Sequence, residues 1–150
     1  MDLSLTVNGH EVHERVEPNE LLLDFLRDRL RLTGAKRSCD VQVCGACTVL
    51  IDGHPVSACN YLAVDAEGHD VLTIEGFAQT PEFERFEAAF VRHAALQCGY
   101  CTPGLLLTLK SLLDAGELGS EEDIRHGLDG NLCRCTGYRS ILEAALEVAA

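Results

Sequence analysis

Cys39-Asp40-Val41-Gln42-Val43-Cys44-Gly45-Ala46-Cys47 is the stretch on which the reading of this chain turns. Three thiols fall within nine residues at C-x4-C-x2-C spacing, and a fourth, Cys59, follows after eleven intervening residues. A 2Fe-2S cluster needs four soft thiolate donors, and a loop with three closely spaced cysteines can wrap it while backbone N–H groups point at the sulfurs. Gly45 suits such a loop, because a residue without Cβ lets the backbone come close. Zinc held by four cysteines is the nearest competitor, but three cysteines at this range fit a binuclear cluster better than two zinc knuckles.

Working outward, the flanks of the loop read as sheet. Leu3, Leu5 and Val7 alternate with polar residues up to Asn8-Gly9, so residues 3–16 form a hairpin on a primed turn. Leu22, Leu23, Leu26 and Leu30 then fall at helical spacing over residues 20–30. Residues 48–51 and 55–59 flank Asp52-Gly53, a second hairpin that draws Cys47 and Cys59 together. Residues 71–74 give a last short strand, and a domain boundary is expected near Gly76, dividing the chain into 1–76 and 77–150.

Beyond Gly76 the apolar period changes from two to 3.6. Phe83, Phe86, Phe90 and Ala94 line one helix, Leu105, Leu109, Leu112 and Leu113 a second, and Ile141, Leu142, Ala145 and Leu146 a third. Thr80-Pro81 reads as an N-cap with Pro at the first helical position, and Ser120 with Asp123 as a capping pair for a helix over 120–128. Leu107 falls off the main stripe of its helix and is expected to be available to another subunit. This helical half carries a second set of thiols, the C-x2-C pair Cys98 and Cys101 and the C-x-C pair Cys133 and Cys135, across 31 intervening residues. Both pairs are placed near helix N-termini, where thiolates are favoured, which suits a cluster or a zinc ion equally. A thioredoxin-like reading of Cys98 and Cys101 fails for want of a preceding strand.

The totals agree with metal binding. Eight cysteines are many for a chain from a reducing compartment, where disulfides are uncommon. The N-terminus shows no secretory leader and no run of 18 apolar residues occurs, so a cytoplasmic protein that does not enter a membrane is expected. With 24 acidic residues against 12 basic ones and a formal charge of -12, nucleic acid and anionic bilayers are poor partners and proteins are the expected ones. The six histidines are scattered, and no hydrolytic triad or phosphate-cradling glycine loop is present.

Five segments, in order, resemble one family: Leu32-Thr33-Gly34-Ala35-Lys36, Cys44-Gly45-Ala46-Cys47-Thr48-Val49, Thr73-Ile74-Glu75-Gly76, Gln97-Cys98-Gly99-Tyr100-Cys101-Thr102-Pro103-Gly104 and Gly130-Asn131-Leu132-Cys133-Arg134-Cys135-Thr136-Gly137-Tyr138. Together they are similar to the small iron-sulfur subunit of the molybdenum hydroxylases, the xanthine dehydrogenase, aldehyde oxidoreductase and carbon monoxide dehydrogenase group. The resemblance implies an α+β chain, a β-grasp ferredoxin-like domain followed by an all-α four-helix domain, each holding one 2Fe-2S cluster. It implies hydroxylation, with oxygen from water, at a molybdenum-molybdopterin cofactor on a large subunit, and electrons leaving one at a time through this chain to FAD on a medium subunit. The assembly implied is a dimer of heterotrimers, and the end of the chain at Ala150 places the molybdenum and flavin domains on other polypeptides. The helical-domain cluster would lie nearest molybdenum, with the residues matching Gln97 and Cys135 against the pterin. One departure stands out: the family commonly has Glu-Gly where this chain has Val41-Gln42, and Gln42 takes a left-handed backbone less cheaply than glycine. A free two-cluster ferredoxin and a zinc-stabilised interaction module are the alternatives.

Overall fold

Leu3, Leu5 and Val7 are all buried along β1 (Asp2–Val7), the alternation of a strand with one face on a core. The computed structural model, which describes residues 1–150, turns β1 back into β2 (His10–Arg15) through Asn8 at φ 51° and Gly9 at φ 80°. Two successive positive φ values are what a type I′ turn requires. Asp52 and Gly53, at φ 48° and 83°, do the same between β3 (Thr48–Ile51) and β4 (His54–Ser57). With β5 (Asp70–Leu72) the strands form one mixed sheet, ordered β2-β1-β5-β3-β4, in which only β1 and β5 run parallel.

The helix expected over 20–30 is present but not uniformly α. A short turn, α1 (Leu22–Asp24), widens into a π turn over Phe25–Arg29, closed by the bond from Leu30 N–H to Phe25 O at 3.2 Å. Leu22, Leu23, Phe25 and Leu26 are thereby all fully buried, a wider apolar face than the leucine spacing alone indicates. The last strand ends at Leu72, and residues 74–77 form the single helical turn α2 (Ile74–Phe77) in place of strand. Glu75 in that turn accepts from Gly34 N–H at 2.7 Å and from the Thr73 hydroxyl at 2.6 Å, tying the 32–36 loop to the start of the helical half.

Four further helices follow: α3 (Pro81–Arg92), α4 (Thr102–Asp114), α5 (Glu121–Gly127) and α6 (Arg139–Ala149). Pro81 opens α3, although the Thr80 hydroxyl donates back to Phe77 O at 2.8 Å and does not cap the helix. Ser120 does cap α5, accepting from Asp123 N–H at 3.2 Å. Helix α4 is the centre of the helical half. Leu105, Leu106, Leu107 and Leu109 are all buried on it, because it packs against β3 and α2 on one side and α5 on the other. The expectation that Leu107 is free to meet another subunit is therefore incorrect: at 1% exposure it belongs to the core.

Strand β3 explains how the halves join. All four of its residues are buried, with Val49 and Ile51 in the core under β1 and α1, and Leu50 in the core of the helices. A strand covered on both faces buries both sets of alternating side chains, so the sheet is the floor of two cores.

Two candidate metal centres

The first loop is shaped by its backbone. Asp40, Gln42 and Gly45 have φ of 55°, 59° and 69°, and these left-handed residues curl the chain around the Cys39 sulfur. Val43 N–H and Cys44 N–H each approach that sulfur at 3.4 Å. Donation from Val41 N–H first, then from Val43 and Cys44, holds the Cys39 thiol down to about 6 from its ordinary 9.0. Gln42 adopts the left-handed conformation despite its side chain, whose Oε1 accepts from Asn60 Nδ2 at 3.1 Å. That contact ties the loop to the residue after Cys59.

Cys47 and Cys59 are both buried, drawn together by the β3–β4 hairpin as its register requires. Burial first, and the neighbouring Cys59 thiol, push the Cys47 thiol up to about 12. The first set thus consists of two side-by-side pairs, Cys39 with Cys44 and Cys47 with Cys59.

The second set is also paired. Cys98 and Cys135 sulfurs lie 3.5 Å apart, and Cys101 contacts Cys133. Cys101 is the N-cap of α4, as expected, whereas Cys135 sits in a loop four residues before α6 begins. Tyr100 N–H and then Cys135 hold the Cys98 thiol down, while Cys98 pushes Cys135 up. Burial pushes Cys101 up to about 12. At Cys133 burial opposes ionisation, but the Thr136 hydroxyl and the N–H groups of Thr136 and Cys135 outweigh it and the thiol is lowered.

No three His, Cys, Asp or Glu side chains in the chain converge as ligands of a single ion do. Four sulfurs arranged as two pairs are what a 2Fe-2S core takes, two thiolates on each of two irons, so the donor sets fit that group. Several of these thiols stay protonated unless a metal displaces the proton.

The two sets meet at one joint. Leu132 N–H donates to Cys44 O at 2.8 Å, so the residue before Cys133 is bonded directly to a residue of the first set. Buried Asn131 donates to Gly45 O at 3.3 Å and to Thr48 Oγ at 3.4 Å. Glycine is required here on both sides: a Cβ on Gly45 would lie 2.3 Å from Gly130 O, and one on Gly104 2.2 Å from Gly45 O. A cleft of about 470 Å³ opens beside the joint, lined by Cys44 and Ala46 of the first loop and by Cys98, Cys101, Cys133 and Cys135. Partly buried Lys36 lies under the Tyr100 ring, 5.6 Å from its centroid, with its Nζ on Gly34 O at 2.8 Å.

Among the expected cysteines the structure pairs Cys39 with Cys44, Cys47 with Cys59, Cys98 with Cys135 and Cys101 with Cys133, and Gln97 is beside Cys135, its Nε2 donating to Cys135 O at 3.2 Å. Sequence reasoning did not single out Asn131, Thr136 or Tyr138. The Tyr138 hydroxyl accepts from Cys133 N–H at 2.8 Å and donates to Asn131 O at 3.0 Å, holding Tyr138 at φ 71°. The signal for these residues was their place in the Gly130–Tyr138 segment, but nothing in their spacing states what they touch.

Residues 5–73 match the family described as the 2Fe-2S iron-sulfur cluster binding domain, and residues 73–146 that described as the 2Fe-2S binding domain. The caffeine dehydrogenase subunit gamma of Pseudomonas sp. (strain CBB1) is 47% identical, the match covering 98% of this chain and 90% of that one. The nicotinate dehydrogenase small FeS subunit of Eubacterium barkeri is 43% identical over 98% of this chain and 93% of its own. The crystal structure of quinoline 2-oxidoreductase from Pseudomonas putida 86 superposes with a TM-score of 0.93 at 45% identity, covering 99% of this chain and 93% of that chain. The aldehyde oxidoreductase from Desulfovibrio gigas gives 0.91 at 39% identity, over 99% of this chain but 17% of the longer one.

Proposed function

The chain belongs to the small 2Fe-2S iron-sulfur subunits of the molybdenum hydroxylase family, and from that premise we propose that it is the electron-transfer subunit of such an oxidoreductase, itself without a substrate site. Cys39, Cys44, Cys47 and Cys59 hold one cluster in a β-grasp domain of residues 1–76. Cys98, Cys101, Cys133 and Cys135 hold the other in a four-helix domain of residues 77–150. Bound clusters supply one-electron carriers, receiving electrons from a molybdenum-molybdopterin cofactor on a large subunit and yielding them to FAD on a medium one.

The observation that carries this reading is the Leu132 N–H to Cys44 O bond. It leaves a single hydrogen bond between two otherwise covalent routes, from Cys133 through Leu132 on one side and from Cys44 on the other. A zinc-stabilised module has no use for such a link between its two sites. Gln97 orients the exposed Cys135 end through its bond to Cys135 O, and the exposure of this end suits the pterin contact. Chain residues that exclude water at the inner end are Ala46, Cys47 and Asn131, all buried. No helix is long and apolar enough to cross a membrane, and the net acidity suits partner proteins; a cytoplasmic dimer of heterotrimers is the assembly we assign.

Purification of the chain with its native partners tests this. Stable co-elution with a molybdopterin-containing large chain and a flavin-containing medium chain is the expected result. Elution of the iron-sulfur chain alone, still reducible, would favour a free two-cluster ferredoxin.

A further inference from the structure

Eight cysteine sulfurs are present, and only one of them accepts a hydrogen bond from a side-chain hydroxyl: Thr136 Oγ lies 3.1 Å from Cys133 Sγ. The hydroxyl's orientation is fixed by a second contact. Tyr138 N–H donates to Thr136 Oγ at 3.2 Å, occupying the oxygen as acceptor, which leaves the single hydroxyl proton to point at the sulfur. Tyr138 is itself held, its own hydroxyl clamped between Cys133 N–H and Asn131 O. The donor is thus set by the fold before any metal arrives.

Cys133 is also the inner member of its set, one residue from the Leu132 N–H that reaches the first loop. Its sulfur is half-buried, where a hydrogen bond counts for more than it would in water. Taking up one electron adds one negative charge to a cluster, shared with its thiolate sulfurs, and a donor aimed at one of those sulfurs favours the reduced form.

We propose that the Thr136 hydroxyl is a positioning residue that raises the reduction potential of the second cluster through its bond to Cys133. This rests on Cys133 being an iron ligand. A merely structural hydroxyl, closing the Thr136–Tyr138 turn, has a different signature. Loosening that turn admits water, and greater exposure and hydrogen bonding to solvent move the potential in the positive direction, whereas loss of the donor moves it negative.

The experiment is a mediated titration of the isolated complex with dithionite, each cluster followed by its EPR signal. The signal that survives Cys47→Ser identifies the second cluster, and the first serves as internal reference. Thr136→Val should make the second cluster about tenfold harder to reduce at fixed potential, about 59 mV more negative, with the first unmoved. Thr136→Ser, which keeps the hydroxyl, should titrate as wild type, and Thr136→Ala as Val. An unchanged or more positive midpoint in Val and Ala overturns the proposal. Loss of the second cluster from both variants also overturns it, in favour of a structural role. Absence of the second signal in the wild-type complex would instead remove the reading of Cys133 as a ligand.

Discussion

Gln42 and Gly45 sit three residues apart on the same loop, both left-handed, and their environments dictate opposite tolerances. Gly45 faces backbone, and an added Cβ would meet Gly130 O and Asn131 with no flexible side chain to yield. Gly45→Ala should therefore destabilise the protein by more than the ~1 kcal/mol of a left-handed alanine alone, because the joint must open. Gln42→Gly removes comparable strain and forfeits the bond to Asn60, an exposed contact of about 0.5–1.5 kcal/mol, so its stability should stay within about 1 kcal/mol of wild type. Thermal or urea unfolding of the two variants checks the contrast. The cysteines were legible at this scale because their chemistry is carried by residue type and spacing. Asn131 and Tyr138 were not, since their importance lies in which carbonyl or N–H each reaches across more than eighty residues or back over a turn, and no periodicity encodes that.

Strand β3 and helix α4 depart most from what their sequences indicate. Both are covered on two sides, so the stripe that marks one buried face understates their burial, and Leu107 was assigned to the surface for that reason. The core position predicts that Leu107→Ala costs about 2–5 kcal/mol in urea unfolding, whereas a surface leucine would change stability by no more than about 0.5 kcal/mol. The hairpins were read correctly, because Asn8-Gly9 and Asp52-Gly53 force positive φ at both positions whatever surrounds them. Helices α3 and α6 are clasped by Glu147, which meets the His93 ring at 2.8 Å and also pairs with Arg92. The His93 contact first, then Arg92, holds the Glu147 carboxyl below its ordinary 4.5. A carboxyl depressed in the folded state stabilises fully above its unfolded pKa, and that contribution is lost as pH falls through the folded one. Glu147→Gln should lower Tm at pH 7, where the contribution is fully present, and flatten the fall in Tm below about pH 4.5 so that variant and wild type converge at low pH, and melting curves from pH 3 to 7 test it.

On the scale of the whole molecule, two thiol sets of different setting are fastened by a joint so tight that Gly45, Gly104 and Asn131 touch across it. The change of apolar period near Gly76 marks where sheet gives way to helix, but it does not reveal that Leu50 of the sheet completes the helical core. The first set is gripped by loop N–H groups around a half-buried cysteine and a buried pair, the second by a helix start, a hydroxyl and an open cleft. Clusters in such unlike surroundings should differ in their reduced-state spectra. The most direct measurement is therefore iron, zinc and acid-labile sulfide per chain, combined with EPR of the dithionite-reduced protein. The account predicts about four iron and four sulfide per chain and two distinct 2Fe-2S signals. Zinc in stoichiometric amount, without sulfide and without an EPR signal, would contradict it.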